Sequence, residues 1–156
     1  MITLTLVRHA KSDWSNPRLA DHDRPLNARG ESNAPMMAQR FAASGVEVER
    51  ILASTAVRAR MTAEAFGAEL GVTVELDEDL YHASSRRLLA TAVATGAPSV
   101  LLVAHDPGMS DLAYDLSDGE ITHMPTCAVA TFTWQCESWA ETTLPADSWS
   151  YDTPRS

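Results

Sequence analysis

Apolar and polar positions alternate in short blocks along the chain, and the blocks switch between two periods. Residues 2–7 (ITLTLV) form a β-branched run that stops abruptly at Arg8 and His9, which reads as a strand. Between residues 27 and 44, Ala34, Met37, Ala38, Phe41 and Ala42 fall on one stripe at helical spacing. Pro35 interrupts that stripe and predicts either a kink or a true helix start capped by Asn33. Residues 49–54 (ERILAS) read as a second strand, with Ser54 expected to cap a helix that reaches about Leu70 and stops at Gly71. A third strand is expected at "VTVEL" (72–76), and Ser84 or Ser85 is expected to cap a third helix ending near 96–98. Residues 99–104 (SVLLVA) are apolar almost throughout, as a central strand buried on both faces must be. Pro107 suits the first turn of a fourth helix through about Leu116. Residues 127–134 (CAVATFTW) make a fifth strand, and "SWSYD" near the end reads as an edge strand.

This alternation of strand and helix signals predicts an α/β sandwich with a mostly parallel sheet. The chain's 156 residues fit one domain with a real core, with residues 137–156 as a loosely assigned C-terminal strand or tail. Apolar residues make up 45% and charged residues 21%, an ordinary globular balance. The net charge of -9 argues against binding nucleic acid through its phosphate backbone. It also makes any local cluster of arginines informative, because such a cluster works against the overall field. No signal-peptide pattern opens the chain, and no run approaches the roughly 20 apolar residues of a membrane span, so no membrane partner is expected. Cys127 and Cys136 have no metal-type spacing, and their odd separation would put them on opposite faces of a strand. A reduced, cytoplasmic setting and a monomer are the expectations.

Ligands of open α/β sheets sit beyond the carboxyl ends of the strands. Arg8 and His9 stand at such an end, Arg58 lies in the first turn after the second strand, and His105 follows the fourth. Two guanidiniums and two imidazoles converging on one volume suit a tetrahedral oxyanion. Each has a bland reading when taken alone. An Arg-His pair after a strand is commonly a surface turn, Arg58 a solvated helix residue, and His105 a satisfied interior histidine. Their joint occurrence at successive strand ends of an acidic chain favours a site. Arg60, two positions beyond Arg58, falls on another helix face.

At these residues the chain resembles the histidine phosphatase superfamily, and within it the short phosphohistidine phosphatases of the SixA type. The resemblance is carried by "LVRHAKSDW" (6–14), "RPLNARG" (24–30), "ILASTAVRARMTAE" (51–64), "LYHAS" (80–84) and "VLLVAHDPGMSDLA" (100–113). It implies a phosphoglycerate mutase-like, three-layer sandwich around a six-stranded sheet with helices on both faces. It implies that His9 is a nucleophile that becomes phosphorylated, and that Arg8, Arg58 and His105 bind the phosphoryl group. No metal or other cofactor is implied. Ser12 and Lys11 sit in the loop leaving the nucleophile, where either touches phosphate or merely flanks it. Arg24 and Arg29 are expected near the mouth, in helix packing or ion pairs.

Two positions depart from the family pattern. The glycine of its "RHG" signature is Ala10 here. Where many relatives carry a glutamate after "LY", this chain has His82, so the acid that protonates the leaving oxygen is either His82 or one of its neighbours Glu78 and Asp79. An imidazole leaving phosphohistidine needs protonation less than an alkoxide does. The substrate expected is therefore phosphohistidine on a protein, with a small phosphate ester as the alternative. A noncatalytic phosphate-binding module is a second class, and a metal-dependent hydrolase built on His22-Asp23 and His105-Asp106 a third. A mutase is a fourth, although nothing in the chain would retain a phosphorylated intermediate between two half-reactions.

Overall fold

The computed structural model describes residues 1–155. The strands are β1 (Ile2–Arg8), β2 (Arg50–Ser54), β3 (Val74–Asp77), β4 (Ser99–Ala104), β5 (Val129–Trp134) and β6 (Ser148–Asp152). They form one six-stranded sheet in the order β3-β2-β4-β1-β5-β6. The pairings from β3 across to β1 are parallel, while β5 lies antiparallel to both β1 and β6, so β5 alone runs against the rest. The four helices are α1 (Ala28–Ala43), α2 (Val57–Leu70), α3 (Ser85–Thr95) and α4 (Gly108–Leu116).

The helices divide between the two faces because the chain reverses its direction across the sheet. From β1 the connections step outward through β2 to β3, then return inward to β4. Crossovers of one hand therefore lay α1 and α2 on one face and α3 and α4 on the other. Side-chain alternation matches this division. Leu4, Leu6, Val100, Leu102 and Phe132 pack with Leu88 and Leu112 on one side. Val7, Ile51, Leu101, Val103 and Val129 pack with Met37, Phe41 and Phe66 on the other. This is the expected α/β sandwich, with the mostly parallel sheet and both faces covered.

Several boundaries differ from the sequence expectation for physical reasons. Helix α1 runs unbroken through Pro35 from an N-cap at Asn27, whose side chain accepts from the Gly30 amide, so Asn33 caps nothing. Pro35 faces solvent, where water can reach the Glu31 carbonyl that the proline leaves without its helical partner. Ser54 does not cap α2 either; the N-cap is Ala56, which has no side-chain cap. Ser84, rather than Ser85, caps α3 by accepting from the Arg87 amide. Among the described residues no helix is long and apolar enough to cross a membrane. Both cysteines are free thiols.

Candidate active site

The register of the two central strands brings the candidate residues together. Arg8 pairs with Ala104, and the amide of His9 donates to the Ala104 carbonyl at 3.1 Å. The residues that follow each strand, His9 and His105, are therefore neighbours, with ring centroids 5.0 Å apart. On the other flank of β4, the Ser54 Oγ at the end of β2 lies 2.8 Å from Nε2 of His105. Arg58, in the first turn of α2, is carried in from that same side. His9, Arg58 and His105 are all buried, with exposures of 7%, 5% and 6%.

Hydrogen bonding assigns the ring protons. Nδ1 of His9 lies 2.7 Å from the Ala10 carbonyl, which can only accept, so Nδ1 carries the proton and Nε2 keeps the lone pair. The turn that aims this ring is itself fixed, because the Ala10 amide donates to Thr62 Oγ1 and that hydroxyl donates to the Arg58 carbonyl. Ala10 is fully buried and is not among the residues with positive φ, so the turn needs no glycine. Ser54 Oγ already accepts from the Ala56 amide. It is placed to donate its own proton to His105 Nε2, which leaves Nδ1 of His105 as a donor.

Burial pushes His9 down to about 4, with Arg58, Arg8 and Arg24 adding to the shift and the Ala10 carbonyl opposing it. Burial likewise lowers His105 to about 3, helped by His9, Arg58 and His82 and opposed by Asp21. Both imidazoles are neutral at pH 7, so the first is a competent nucleophile.

The arginines are held rigidly from behind. Arg8 Nη1 donates to the Met124 carbonyl at 2.9 Å and lies 3.5 Å from Asp106 Oδ2. Asp106 is in turn fixed by the amide and hydroxyl of Ser110. Arg58 donates to both the carbonyl and the carboxylate of Asp21, at 2.6 and 3.0 Å. Among the described residues, the buried side-chain nitrogens and oxygens without a partner are Arg8 Nε, Arg58 Nε and His105 Nδ1. Unpaired buried donors are costly and rare. All three belong to residues gathered around His9, and three N–H donors match the equatorial oxygens of a phosphoryl group.

Sequence reading missed Asp21. Besides Arg58, its carboxylate accepts from Arg24 at 2.8 Å and from the Tyr81 hydroxyl at 2.6 Å. These bonds, the Tyr81 hydroxyl foremost, hold it far below the usual carboxylate range. Arg24 is 5% exposed and also donates to Ser12 Oγ, so the Ser12 hydroxyl is engaged by that guanidinium. The Arg24 guanidinium carbon sits over the Trp14 ring, 3.4 Å from its centre. The Arg60 guanidinium turns away to Glu64 on the helix surface.

His82 stands at the rim. It is exposed, and its ring packs against Tyr81 with centroids 3.9 Å apart and planes tilted by 37°, and lies 6.5 Å from His105. Its backbone has φ 60°, unusual for a residue with a Cβ. Asp79 faces Arg87 at 3.5 Å, and Glu78 is exposed. Tyr81 meets the His105 ring edge-on at 5.5 Å. The close approach of this segment depends on Gly108, where a Cβ would fall 2.2 Å from the Ala83 carbonyl oxygen.

Residues 4–85 match the histidine phosphatase superfamily (branch 1). The chain is 30% identical to the phosphohistidine phosphatase SixA of Escherichia coli over 135 residues, which covers 82% of this chain and 83% of that one. It is 33% identical over 116 residues to an uncharacterized protein of Mycobacterium leprae, covering 71% of each. A solved structure of the protein histidine phosphatase SixA in complex with tungstate superposes with a TM-score of 0.81 at 25% identity, over 99% of this chain and 98% of that one.

Proposed function

The chain belongs to the histidine phosphatase superfamily, and on that premise we propose that it removes phosphate from phosphohistidine on a protein. His9 Nε2 attacks phosphorus in line with the departing group, forming an N–P bond as the bond to the substrate breaks. Water then cleaves the His9–phosphoryl bond and inorganic phosphate leaves. Arg8, Arg58 and His105 neutralise the equatorial oxygens in both steps, so the positive charge that phosphoryl transfer demands comes from side chains. A phosphohistidine ring that already carries a proton on its other nitrogen leaves as neutral imidazole, so this reading asks no further proton of the residue at His82, where the family pattern has a glutamate.

The observation that carries this reading is the trio of buried, partnerless donors around a neutral histidine whose Nε2 is free. Tungstate, bound by the SixA relative, is the kind of tetrahedral oxyanion such donors fit. A small phosphate ester is the second reading, favoured by the exposed rim at His82.

The test is rapid quenching with a labelled phosphohistidine peptide. An acid-labile phosphoenzyme should form in the wild type and be absent in His9→Ala. Full turnover in His9→Ala, or label retained elsewhere on the chain, overturns the covalent mechanism. Faster hydrolysis of alkyl phosphates than of the peptide overturns the substrate assignment.

A further inference from the structure

Cationic side chains are scarce in this chain, and most of them are neutralised. Of the 12 Lys and Arg residues, all but Lys11, Arg18, Arg29, Arg86 and Arg155 pair with a carboxylate among the described residues. Three of those five, Lys11, Arg29 and Arg155, line one cavity of about 350 Å³, and no acidic residue among the described ones lines it with them. The contrast with a larger cavity of about 840 Å³ beside α3 is direct, since its arginines share the walls with Asp77 and Asp79.

The fold explains why these cations meet beside the nucleophile. Lys11 leaves His9 by two residues, and its carbonyl accepts from the Asn27 amide, the N-cap of α1. The start of α1, and with it Arg29, is therefore drawn to this loop; Gly30 approaches so closely that a Cβ there would fall 2.2 Å from the Lys11 carbonyl oxygen. On the other side, the Cys127 amide bonds the carbonyls of Arg8 and His9, which sets Thr126 against the same turn. Strand β6 pairs Asp152 with Val129, so the chain beyond it runs beside the segment before β5 and delivers Arg155. Three separate segments thus place exposed positive charge, without a carboxylate partner among the described residues, on the rim beside the loop that leaves His9, in a protein whose net charge is -9.

We infer that this basic rim is the docking surface for acidic residues flanking the phosphohistidine of the partner protein. The inference rests on the phosphoprotein reading of the site. An acidic surface would be repelled by most of this molecule and attracted here, so the patch both selects the partner and orients it with the phosphorylated side chain over His9. Because the cations are exposed and spread over three segments, they suit an extended polypeptide surface better than one compact anion.

The experiment uses fluorescently labelled phosphohistidine peptides that are identical except for flanks of Asp and Glu or of Ser and Gly. Binding is followed by anisotropy and hydrolysis by phosphate release. The acidic peptide should bind the wild type about tenfold more tightly than the neutral one at low salt. That preference should vanish near 1 M salt, where the screening length is only about 3 Å. In Arg29→Glu/Arg155→Glu the ratio between the two peptides should fall to about 1, and the ratio cancels any general effect on folding or chemistry. Equal binding of both peptides by the wild type overturns the inference. So does a preference that survives in the double variant, because the acidic flanks are then read elsewhere. Charge-selective binding without hydrolysis of either peptide sinks the proposed function and leaves the docking surface standing.

Discussion

Oδ2 of Asp21 lies 3.0 Å from Nη2 of Arg58, across 37 residues of sequence. The same carboxylate ties down Arg24 and Tyr81, so one side chain from a loop orients a guanidinium on α2 and an aromatic ring at the rim. The ion pair leaves Arg58 Nε as the free donor. Asp21 therefore sets which edge of the guanidinium faces His9.

Removing this anchor should damage binding of the transition state more than folding. In Asp21→Ala, kcat/KM on an aryl phosphate is expected to fall roughly 10- to 100-fold, the usual cost of losing a residue that orients a catalytic partner. Circular dichroism should report a native fold. A rate that rises instead would show that the carboxylate competes with substrate for Arg58.

The buried histidines give a second expectation. His9 and His105 titrate near 4 and near 3 in the folded protein, against an ordinary value of 6.5. Between those limits the unfolded chain binds protons that the native protein refuses, so stability must decline as pH falls from about 6.5 toward 4. Asp21, held below its ordinary 3.8, adds a further loss only at lower pH. Melting temperature should drop across the histidine window, and His105→Asn should flatten the slope. The acid limb of kcat/KM on an aryl phosphate should sit near pH 4; a limb at 6.5 would mean that His9 is solvated and ordinary.

The elements legible in the sequence were those whose signals are local. β4 and β6 match residue for residue because an apolar run and an alternating tail each lie between clear breaks. Ser84 caps α3 with nothing competing for its hydroxyl. Ser54 has the same chemistry, yet its hydroxyl turns to His105, 51 residues away, and no local rule reveals that. Arg8, His9, Arg58 and His105 could be grouped because each follows a strand, and strand ends share one edge. Arg24, expected in an ion pair near the mouth, makes one, but its partner Asp21 sits in a single short 3-10 turn, where no periodicity reports which way a side chain points. The place of Asp21 beside Arg58 and Tyr81 follows from contacts spanning 37 and 60 residues.

Gly108 tests the packing that holds Tyr81 and His82 over the site. A Cβ there meets the Ala83 carbonyl oxygen at 2.2 Å and Leu88 Cδ1 at 3.2 Å. The leucine can turn aside, but the carbonyl belongs to backbone. Gly108→Ala should cost about 1–3 kcal/mol of stability through overpacking. It should also slow turnover, because the Tyr81 hydroxyl shifts off Asp21. A melting temperature and rate equal to wild type would show that the 81–83 segment yields freely.

On the proposed reading, His82 sets how far the protein favours phosphohistidine over phosphate esters. An alkoxide leaves phosphorus poorly unless it is protonated as the bond breaks, and a well-placed acid contributes on the order of 10²–10⁴ in rate. A phosphohistidine ring protonated on its distal nitrogen leaves readily as neutral imidazole, so an acid at the rim adds little for an N-phosphorylated substrate. The His82 ring is exposed and lies 6.5 Å from His105, at the position where the family resemblance implies a carboxylic acid. His82→Glu should therefore raise kcat on alkyl phosphate monoesters at least tenfold while changing phosphohistidine hydrolysis less than about threefold. Glutamate inherits the left-handed backbone at φ 60°, a cost of about 1–2 kcal/mol that histidine already bears in part. The variant's melting temperature separates that cost from chemistry. A wild-type enzyme that already cleaves alkyl phosphates as fast as its His82→Glu variant would mean that another group supplies the proton, and the selectivity would then have to reside in the basic rim beside His9.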